Sequence, residues 1–305
     1  MVNESIKLAE HEIRTNFPEL LISSIESLGE GFRNQAVLVN DDWVFRFPKN
    51  QQAAEDLAKE IRLLPQLADK VKLDIPQFRL IGTQQNGRPF VGYRKLKGEI
   101  IGEDGLSHLN GDTLNQVAFQ LADFLDALHR FPAEKAVQAG VPVRDLKNEF
   151  DALYREVKIH AFQLFDHPVR EYISQRFESY LGQAEHFSYT PAFIHGDLSP
   201  DHFLLDPEKR ELTGIIDFGD AVLSDPDYDY VYLLEDGGLS FTKQVMCYRG
   251  ISNPDAKLKK IAWFVTFDQL HDLLEGIHSG DDARIAEGLE LVEADMRLNR
   301  ANGTV

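Results

Sequence analysis

The sequence is poor in the residues that build cross-linked or metal-stabilised scaffolds. Cys247 is the only cysteine among 305 residues, so the chain can form no intrachain disulfide and no cysteine-based structural zinc site. Basic residues are also few, because 32 Lys and Arg stand against 50 Asp and Glu, giving a formal net charge of −18. Such a charge repels nucleic acid and anionic membranes and attracts cations, so we expect no nucleic-acid and no membrane partner.

Long hydrophobic runs are missing as well. No stretch approaches the roughly 18 apolar residues that a membrane-spanning helix needs. The N-terminal segment MVNESIKLAEHEIRTNFPELL carries charges throughout, unlike a signal peptide, and we therefore expect a cytoplasmic protein. The composition, 43% hydrophobic and 27% charged, is typical of a globular protein that is long enough to fold as two lobes.

The first hundred residues alternate short β-forming runs with helical segments. Residues 4–17 and 52–68 place apolar side chains at helical spacing. Turns are expected at 40–42 and 86–87, where Asn and Asp or Gly interrupt the β-forming runs. These runs are SIESLGEGF leading into QAVLV, then WVFRF, IPQFRLIG and RPFVGYRKL. The pattern predicts a small, mostly antiparallel sheet with one main helix.

The rest of the chain is mainly helical. Asp112 or Thr113 is expected to cap a helix whose apolar stripe ends near Leu128. A compact β-forming block, AFIHGDLSPDHFLLD followed by ELTGIIDFGD, interrupts the helices. Further helical patterns cover 145–164, 167–184, 256–277 and 280–298.

These patterns predict an α+β fold with two lobes. Residues 1–97 form a small N-terminal lobe with an antiparallel sheet and one main helix. A hinge follows at 93–98, and residues 98–305 form a larger, mainly helical C-terminal lobe. The sequence contains no low-complexity linker and no internal repeat.

Three polar residues of the β-forming block have a spacing that suits phosphoryl transfer. Asp197 is followed by His202 after five residues and by Asp217 after twenty, and short apolar runs flank them. Buried runs of this kind deliver polar residues to turns, so the three side chains are expected to converge. Phosphoryl transfer needs such a set, because one carboxylate orients the acceptor hydroxyl and further ligands hold a metal that neutralises phosphate charge.

Each of these residues also has a structural interpretation. His195, in the same segment, is expected to bond backbone groups behind the loop rather than take part in chemistry. Asp197 and Asp217 are residues that also form turns, and His202 is a residue that also packs in cores. Asp229 is expected either to cap the next helix or to brace the loop.

The segments HGDLSPDH and IIDFGD resemble the catalytic and metal-binding motifs of the antibiotic phosphotransferases, which are relatives of the protein kinases. The resemblance continues in LGEGF, WVFRFPK, GYRKLKGE, LADFLDALH and AVLSDPDYDY, so it covers nearly the whole chain. Within that family the chain looks most similar to aminoglycoside 2''-phosphotransferases, with some features of macrolide 2'-phosphotransferases. The resemblance implies a bilobal protein-kinase-like fold and a kinase that serves antibiotic resistance.

The resemblance also implies roles for individual residues. Asp197 would be the catalytic base or would orient the acceptor hydroxyl, and His202 and Asp217 would bind the metal. Arg46 would stand where kinases carry the phosphate-binding lysine, and Glu60 would pair with it. The other nucleotide-binding positions would be the two loop glycines, the residue at the back of the pocket and the hinge backbone: Gly29, Gly31, Tyr93, Arg94 and Leu96.

Three side chains bear on the donor and the metal. His202 stands where many family members have asparagine, so we expect Mg²⁺ with Mn²⁺ as the alternative, because imidazole suits softer ions. Arg46 replaces the usual lysine, and Lys49 nearby is expected to share the phosphates. In the resembling enzymes a tyrosine at position 93 accompanies GTP use, so we expect GTP as donor, with ATP as the alternative.

Acidic residues after the metal motif predict a cationic small-molecule acceptor. An aminoglycoside carries several ammonium groups, which carboxylates bind through charge-assisted hydrogen bonds. The same acids are compatible with an ordinary solvated helix face. The candidate acceptor-binding residues are Asp220, Glu235, Asp236, Asp268 and Asp272.

Other acceptors remain open at the level of sequence. A macrolide would need a more apolar pocket, for which Trp263, Phe264 and Phe267 are available. The same fold would also suit a metabolic kinase of a choline-like, sugar or amino-alcohol substrate.

Two further classes fit less well. A pseudokinase scaffold usually loses a catalytic position, whereas both aspartates and a cation at position 46 are present here. A metal-dependent hydrolase could use His195 and His202, but the sequence offers no compact set of three ligands on one element. For the kinase we expect a monomer.

Overall fold

The computed structural model describes residues 2–31, 33–102 and 104–301. Phe32, the last residue of the LGEGF segment, lies outside the described residues. The chain forms two compact units. Unit 1 contains the described residues up to Val141 together with Ser199–Ala221, and unit 2 contains Pro142–Leu198 and the described residues from Val222 onward. The lobe boundary near residue 98 stays a prediction.

The helices and strands are numbered in chain order within the described ranges. The helices are α1 (Val2–Asn16), α2 (Gln51–Leu67), α3 (Gly105–His108), α4 (Gly111–His129), α5 (Ala133–Gln138), α6 (Leu146–Glu156), α7 (His167–Leu181), α8 (Val231–Glu235), α9 (Gly238–Tyr248), α10 (Pro254–Ser279) and α11 (Asp282–Ala301). The strands are β1 (Ile25–Glu30), β2 (Asn34–Val39), β3 (Trp43–Pro48), β4 (Leu80–Thr83), β5 (Pro89–Arg94), β6 (Glu99–Ile100), β7 (Ala192–Ile194), β8 (Phe203–Asp206), β9 (Glu211–Ile215) and β10 (Val222–Ser224).

Unit 1 contains the predicted antiparallel sheet. Its five strands lie in the order β1-β2-β3-β5-β4, and every neighbouring pair is antiparallel. The turn between β2 and β3 places Asn40 and Asp41 in the left-handed region, at φ 56° and 54°. Asn and Asp tolerate that conformation better than other side-chain-bearing residues, which is why the chain reverses here.

An aromatic core fastens the sheet to helix α1. Phe45, Phe47 and Phe90 are at most 4% exposed, and the rings of Phe47 and Phe90 stack with centroids 4.6 Å apart. Ile13 of α1 belongs to the same cluster and is fully buried. Helix α2 follows β3 directly, because Asn50 caps it by accepting the Ala53 N–H at 2.8 Å.

The helix α4 begins earlier than its sequence indicated. The predicted cap at Asp112 or Thr113 is wrong, because Asn110 is the N-cap and accepts the Thr113 N–H at 3.0 Å. Asn110 has an extended backbone with φ −70° and ψ 161°, so the helical conformation starts at Gly111. No helix within the described ranges is both long enough and apolar enough to cross a membrane.

Unit 2 is built around an aromatic core contributed by α6, α7 and α10. Phe177 and Phe267 stack at a centroid distance of 4.3 Å, and Phe150 lies 4.7 Å from Phe267. Phe264 is fully buried in the same cluster. The predicted continuous helix over 145–164 is interrupted, because α6 changes into a π-helical turn over Val157–Ala161.

Candidate functional site

A buried arginine lies at the centre of the site in unit 1. The guanidinium of Arg46 on β3 donates to both carboxylate oxygens of Glu60 on α2, at 2.9 and 3.1 Å, and to Asp217 Oδ1 at 3.2 Å. Arg46 is 7% exposed and Glu60 is fully buried. Burial alone would lower the pKa of Arg46, but the two carboxylates raise it above its ordinary value. Arg46 therefore remains a cation throughout the physiological pH range.

Local sequence explains why Glu60 points into the protein. Glu60 lies three residues after Leu57 and four before Leu64, and both leucines are buried on the same face of α2. When the apolar face of α2 packs against the protein interior, the Glu60 carboxylate is therefore buried with it. A fully buried carboxylate requires a charge partner, and Arg46 on the neighbouring strand supplies it.

His202 and Asp217 lie at the same end of the β8–β9 hairpin. Phe203 pairs with Ile215 in the sheet, and the Ile216 N–H donates to the His202 carbonyl at 3.0 Å. His202 therefore directly precedes the paired residue Phe203, and Asp217 directly follows Ile216 at the same end of the hairpin. Asp217 adopts φ +63°, which costs a residue other than glycine about 1–3 kcal/mol and is typical of functional positions.

The donors at this end of the hairpin fit a divalent cation. The Asp217 side chain is 43% exposed and can offer a carboxylate oxygen, although Arg46 contacts one of its two oxygens. The His202 Nδ1 lies 3.4 Å from the Ser199 hydroxyl. A carboxylate with an imidazole suits Mg²⁺ or Mn²⁺ when phosphate oxygens complete the coordination.

The glycine segment before β2 is sterically open. Gly29 stands at an irregularity in the β1–β2 pairing, and a Cβ atom there would meet nothing within 4 Å. At Gly31 a Cβ would make only an ordinary contact, 3.6 Å from the Asn34 carbonyl oxygen. Lys49 donates to the Gly31 carbonyl at 2.8 Å. The structure therefore brings Lys49 to the segment that the resemblance assigns to the triphosphate.

The hinge segment continues from β5. Tyr93 is 6% exposed and packs against Phe78, and burial raises its pKa to about 12, so the hydroxyl stays protonated. The Lys95 N–H donates to the Asp42 carbonyl at 2.8 Å. Arg94 is the last residue of β5, and Leu96 follows it two residues later, outside the strand.

Asp197 belongs to unit 2, where a buried aspartate braces its loop. Asp229 is 2% exposed and accepts the N–H groups of His195 at 3.3 Å and Gly196 at 3.0 Å. Gly196 adopts φ +84°, a conformation that suits glycine. Asp229 thus braces the loop, which was one of its two expected roles. His195 is fully buried, and the bonds to backbone groups expected for it stay a prediction.

Three of the predicted acceptor-binding acids, Glu235, Asp236 and Asp268, form a partly buried acidic cluster in unit 2. Asp268 accepts the hydroxyl protons of Tyr228 at 3.0 Å and Tyr232 at 2.9 Å. Burial raises the pKa of Tyr232, and the negative charges of Asp268 and Asp197 raise it further, so Asp197 lies close to this cluster. Burial likewise raises the pKa of the Asp268 carboxyl.

Glu235 is the titratable member of this cluster. It accepts a hydrogen bond from the buried Gln269 amide at 2.7 Å. Burial raises its pKa to about 7, and the carboxylates of Asp268, Asp236 and Asp272 act in the same direction. Negative charge is therefore concentrated in this part of unit 2, where it favours a cationic ligand.

Two of the predicted acceptor-binding acids already have cationic partners within their own units. Arg284 of α11 contacts both Asp272 and Glu275, each at 2.7 Å. Asp220 of unit 1 accepts from Arg33 at 2.6 Å. A carboxylate with such a partner attracts a ligand ammonium group less than the carboxylates of the acidic cluster do. The assignment of all five acids to the acceptor stays a prediction.

Four polar partners in the two units were not predicted from the sequence. Tyr228 and Tyr232 are four residues apart, a spacing that could have indicated a shared contact with one face. Gln269 follows Asp268 directly, and no sequence pattern shows that its amide is buried. Lys59 precedes Glu60 and is 5% exposed, although lysine on a helix is usually solvated.

Comparisons with known proteins identify the family. Residues 24–248 match the model of the phosphotransferase enzyme family. The chain is 53% identical to aminoglycoside 2'-phosphotransferase-IIIa, solved as a GDP complex, over 96% of this chain and 99% of that one, with a TM-score of 0.94. It is 54% identical to APH(2")-IIia, solved with GDP and kanamycin, over 95% and 99% of the two chains, with a TM-score of 0.93.

A more distant relative is an uncharacterised protein of Bacillus subtilis (strain 168), YcbJ. It is 26% identical over 212 residues, which make up 66% of each chain. The α+β, kinase-like fold with an N-terminal antiparallel sheet and a larger helical C-terminal part is confirmed. This chain belongs to the phosphotransferase enzyme family.

Proposed function

We propose that this protein is a kinase that transfers the γ-phosphoryl group of GTP or ATP to a hydroxyl of an aminoglycoside. The observation that carries the proposal is the buried Arg46 held between Glu60 and Asp217. A fixed cation beside a half-exposed carboxylate is what a triphosphate and its metal require. The identity of 53–54% to proteins solved with GDP, one of them also with kanamycin, supports both the donor and the acceptor.

The donor would be held by groups of unit 1. The open backbone of Gly29 and Gly31 would admit phosphate oxygens, with Lys49 and Arg46 as cations. Tyr93 would form the back of the nucleotide pocket. The backbone of Arg94 and Leu96 would hydrogen-bond the base. These assignments rest on contacts within the unit and on the family pattern.

His202 and Asp217 would hold a divalent ion, Mg²⁺ or alternatively Mn²⁺. When bound, such an ion neutralises charge on the phosphates. Asp217 is held by the hairpin end and by Arg46, so its carboxylate is restrained before any ligand arrives. That restraint reduces the reorganisation needed during transfer.

Asp197 would accept the hydrogen bond of the acceptor hydroxyl and orient its oxygen toward the γ-phosphorus. Because the transition state of phosphoryl transfer is loose, orientation contributes more than complete proton removal. Asp229 accepts the N–H groups of His195 and Gly196, the two residues before Asp197, which limits where the Asp197 carboxylate can lie. The proton would leave to solvent or to the transferred phosphate after the bond to phosphorus has formed.

The acceptor would bind through its ammonium groups to the acidic cluster. Asp268 and Glu235 have neutral hydrogen-bond partners, so their negative charge remains available to a cation. The macrolide alternative loses support, since Phe264 and Phe267 are core residues at 0% and 1% exposure rather than pocket walls. A choline-like or other amino-alcohol acceptor carries a single cation and would use fewer of these acids.

A monomeric, cytoplasmic enzyme fits this proposal. GTP and ATP are supplied in the cytoplasm, and an aminoglycoside that has entered the cell would be modified there. Phosphorylation would then confer antibiotic resistance.

A product assay tests the proposed function. The purified protein is incubated with Mg²⁺, GTP or ATP, and a panel of aminoglycosides, macrolides and amino alcohols, and products are weighed by mass spectrometry. We expect a phosphorylated aminoglycoside with GTP as an effective donor. Product only from a macrolide or amino alcohol would reject the acceptor, and a kcat/KM for ATP about tenfold above that for GTP would reject the donor preference.

Acceptor binding is expected to strengthen as pH rises. The Glu235 carboxyl, with its pKa near 7, is largely neutral at acidic pH and becomes a carboxylate above neutrality. The KM for an aminoglycoside should therefore fall by up to about tenfold between roughly pH 6 and pH 8. Steady-state kinetics over this range provide the measurement, and the KM for GTP serves as the internal reference. The same acceptor profile in Glu235→Gln would contradict the assignment.

A further inference from the structure

Helix α2 carries a buried lysine directly before Glu60. The Lys59 ammonium is within hydrogen-bonding distance of two backbone carbonyls, donating to Gly219 at 2.5 Å and to Ala221 at 3.0 Å. Its side chain is 6% exposed, and the nearest carboxylate, Asp56, lies 3.7 Å away. Burial lowers the pKa of Lys59. A buried ammonium costs several kcal/mol to desolvate, so its retention at this place calls for a role.

The two carbonyls belong to the loop that follows Asp217. Gly219 is two residues beyond Asp217, and its own N–H lies 3.4 Å from the Asp217 carboxylate. Lys59 and Glu60 are neighbours on α2, and Glu60 holds Arg46, which in turn contacts Asp217. Helix α2 is therefore connected to the Asp217 region in two ways. Glu60 is linked through Arg46 to the Asp217 carboxylate, and Lys59 is linked to the backbone carbonyls of the residues that follow Asp217.

We propose that Lys59 is a positioning residue that sets the backbone of the 217–221 loop and thereby aims the Asp217 carboxylate at its divalent ion. This inference rests on the proposed function, since it takes Asp217 as a metal ligand. In this role Lys59 would contact neither nucleotide nor metal. It acts by linking the helix that orients Arg46 to the loop that orients Asp217, so the phosphate-binding cation and the metal-binding carboxylate are placed together.

A surface contact through Arg33 also joins α2 to this loop, because the Arg33 guanidinium lies 3.9 Å from the carboxylate of Asp56 on α2. Arg33, just after the glycine segment, donates to Asp220 at 2.6 Å, and both side chains are nearly half exposed. Exposed ion pairs contribute little, typically about 0–1 kcal/mol. The buried lysine therefore carries most of the coupling between α2 and the loop.

The inference is tested by metal-dependent nucleotide binding, which needs no acceptor. Fluorescent mant-GDP is bound to the full-length protein, and Mg²⁺ is titrated in, first with wild type and then with Lys59→Met. We expect the variant to need about tenfold more Mg²⁺ for half-saturation, the scale seen when support of a metal ligand is lost. Mant-GDP affinity in EDTA should stay within about threefold of wild type, because Lys59 does not touch the nucleotide.

The matched control is Arg62→Met on the same helix. Arg62 also donates to a backbone carbonyl of another segment, Ala139 at 2.8 Å, but that segment holds no proposed ligand. We expect its Mg²⁺ half-saturation to equal that of wild type. If Lys59→Met does not fold, as judged by circular dichroism, Lys59→Gln takes its place and the same comparison applies.

The outcomes separate this inference from the proposed function. A Mg²⁺ half-saturation in the Lys59 variant equal to that of wild type overturns the inference alone. If the affinity of wild type for mant-GDP does not depend on the Mg²⁺ concentration, both the inference and the metal assignment are overturned. Absence of any phosphorylated acceptor, with the Mg²⁺ shift present in the Lys59 variant, overturns the acceptor assignment and leaves the inference standing.

Discussion

Asp197→Asn is expected to lower kcat for acceptor phosphorylation by about 10²–10⁴-fold. An amide has nearly the same shape as a carboxylate but carries no negative charge, so it accepts the hydrogen bond of the hydroxyl weakly and orients its oxygen poorly. Nucleotide affinity should not change, because Asp197 is assigned to the acceptor hydroxyl. Steady-state kinetics with GTP and an aminoglycoside, combined with equilibrium mant-GDP binding, separate the two effects.

Asp201→Asn is the control for this substitution. Asp201 is an exposed aspartate four residues further along the same sequence segment, and no role in the chemistry is assigned to it. Its kcat should stay near that of wild type. If Asp197→Asn retained a tenth or more of wild-type kcat, a value about one order of magnitude above the expected range, Asp197 would not be the group that orients the hydroxyl.

Arg46→Met is expected to destabilise the protein by about 3–5 kcal/mol. The substitution removes the partner of Glu60, which is fully buried and then holds an uncompensated charge. Asp217, with a side chain 43% exposed, can still be solvated and contributes little to this loss. Urea unfolding without nucleotide measures the change in the free energy of unfolding. Mant-GDP affinity should fall as well, since the phosphate-binding cation is gone.

A double variant distinguishes loss of the pair from loss of packing. Arg46→Met combined with Glu60→Leu removes both buried charges, and we expect it to recover most of the stability but none of the nucleotide affinity. Arg14→Met provides the surface control, because Arg14 is 51% exposed and pairs with Glu10 one turn away, an interaction worth about 0.3–0.5 kcal/mol. Equal losses for Arg46→Met and Arg14→Met would show that burial of the pair is unimportant.

The local structure of unit 1 was largely predictable from the sequence. Asn40 and Asp41 mark the β2–β3 turn because their side chains tolerate positive φ, and the structure places both residues there. The spacing of Leu57, Leu64 and Leu67 predicted α2 to within one residue at each end. These features depend on neighbours a few residues away, so a single sequence contains the information.

Helix boundaries and short helices were harder to predict. The cap of α4 was placed at Asp112 or Thr113, whereas Asn110 performs it, because three neighbouring polar residues all suit an N-cap and backbone conformation selects among them. Helix α9 was not predicted, since its segment lacks a long apolar stripe, and α8 was expected only as the helix that Asp229 would cap. The π-helical turn after α6 has no sequence signal in helical periodicity.

The candidate site was also predictable only in part. The family resemblance assigned Asp197, His202 and Asp217 from their motifs, and the structure places the last two at one end of a hairpin. Asp197 belongs to the other unit, so the convergence of the three residues stays a prediction. Spacing in the sequence alone cannot show which charge is neutralised by a neighbour, as Asp220 is by Arg33.

Three properties of this protein follow from its amino-acid sequence: the α+β character, the order of the β-forming and helical segments, and the motifs that indicate phosphoryl transfer. Those properties arise from side-chain periodicity, turn chemistry and short motifs, all of which act over a few residues. Which charges are buried, and what they contact, depends instead on how the elements pack in three dimensions. Lys59 meets the Gly219 carbonyl across 160 residues of chain, and such a contact depends on how helix and loop pack rather than on either local sequence.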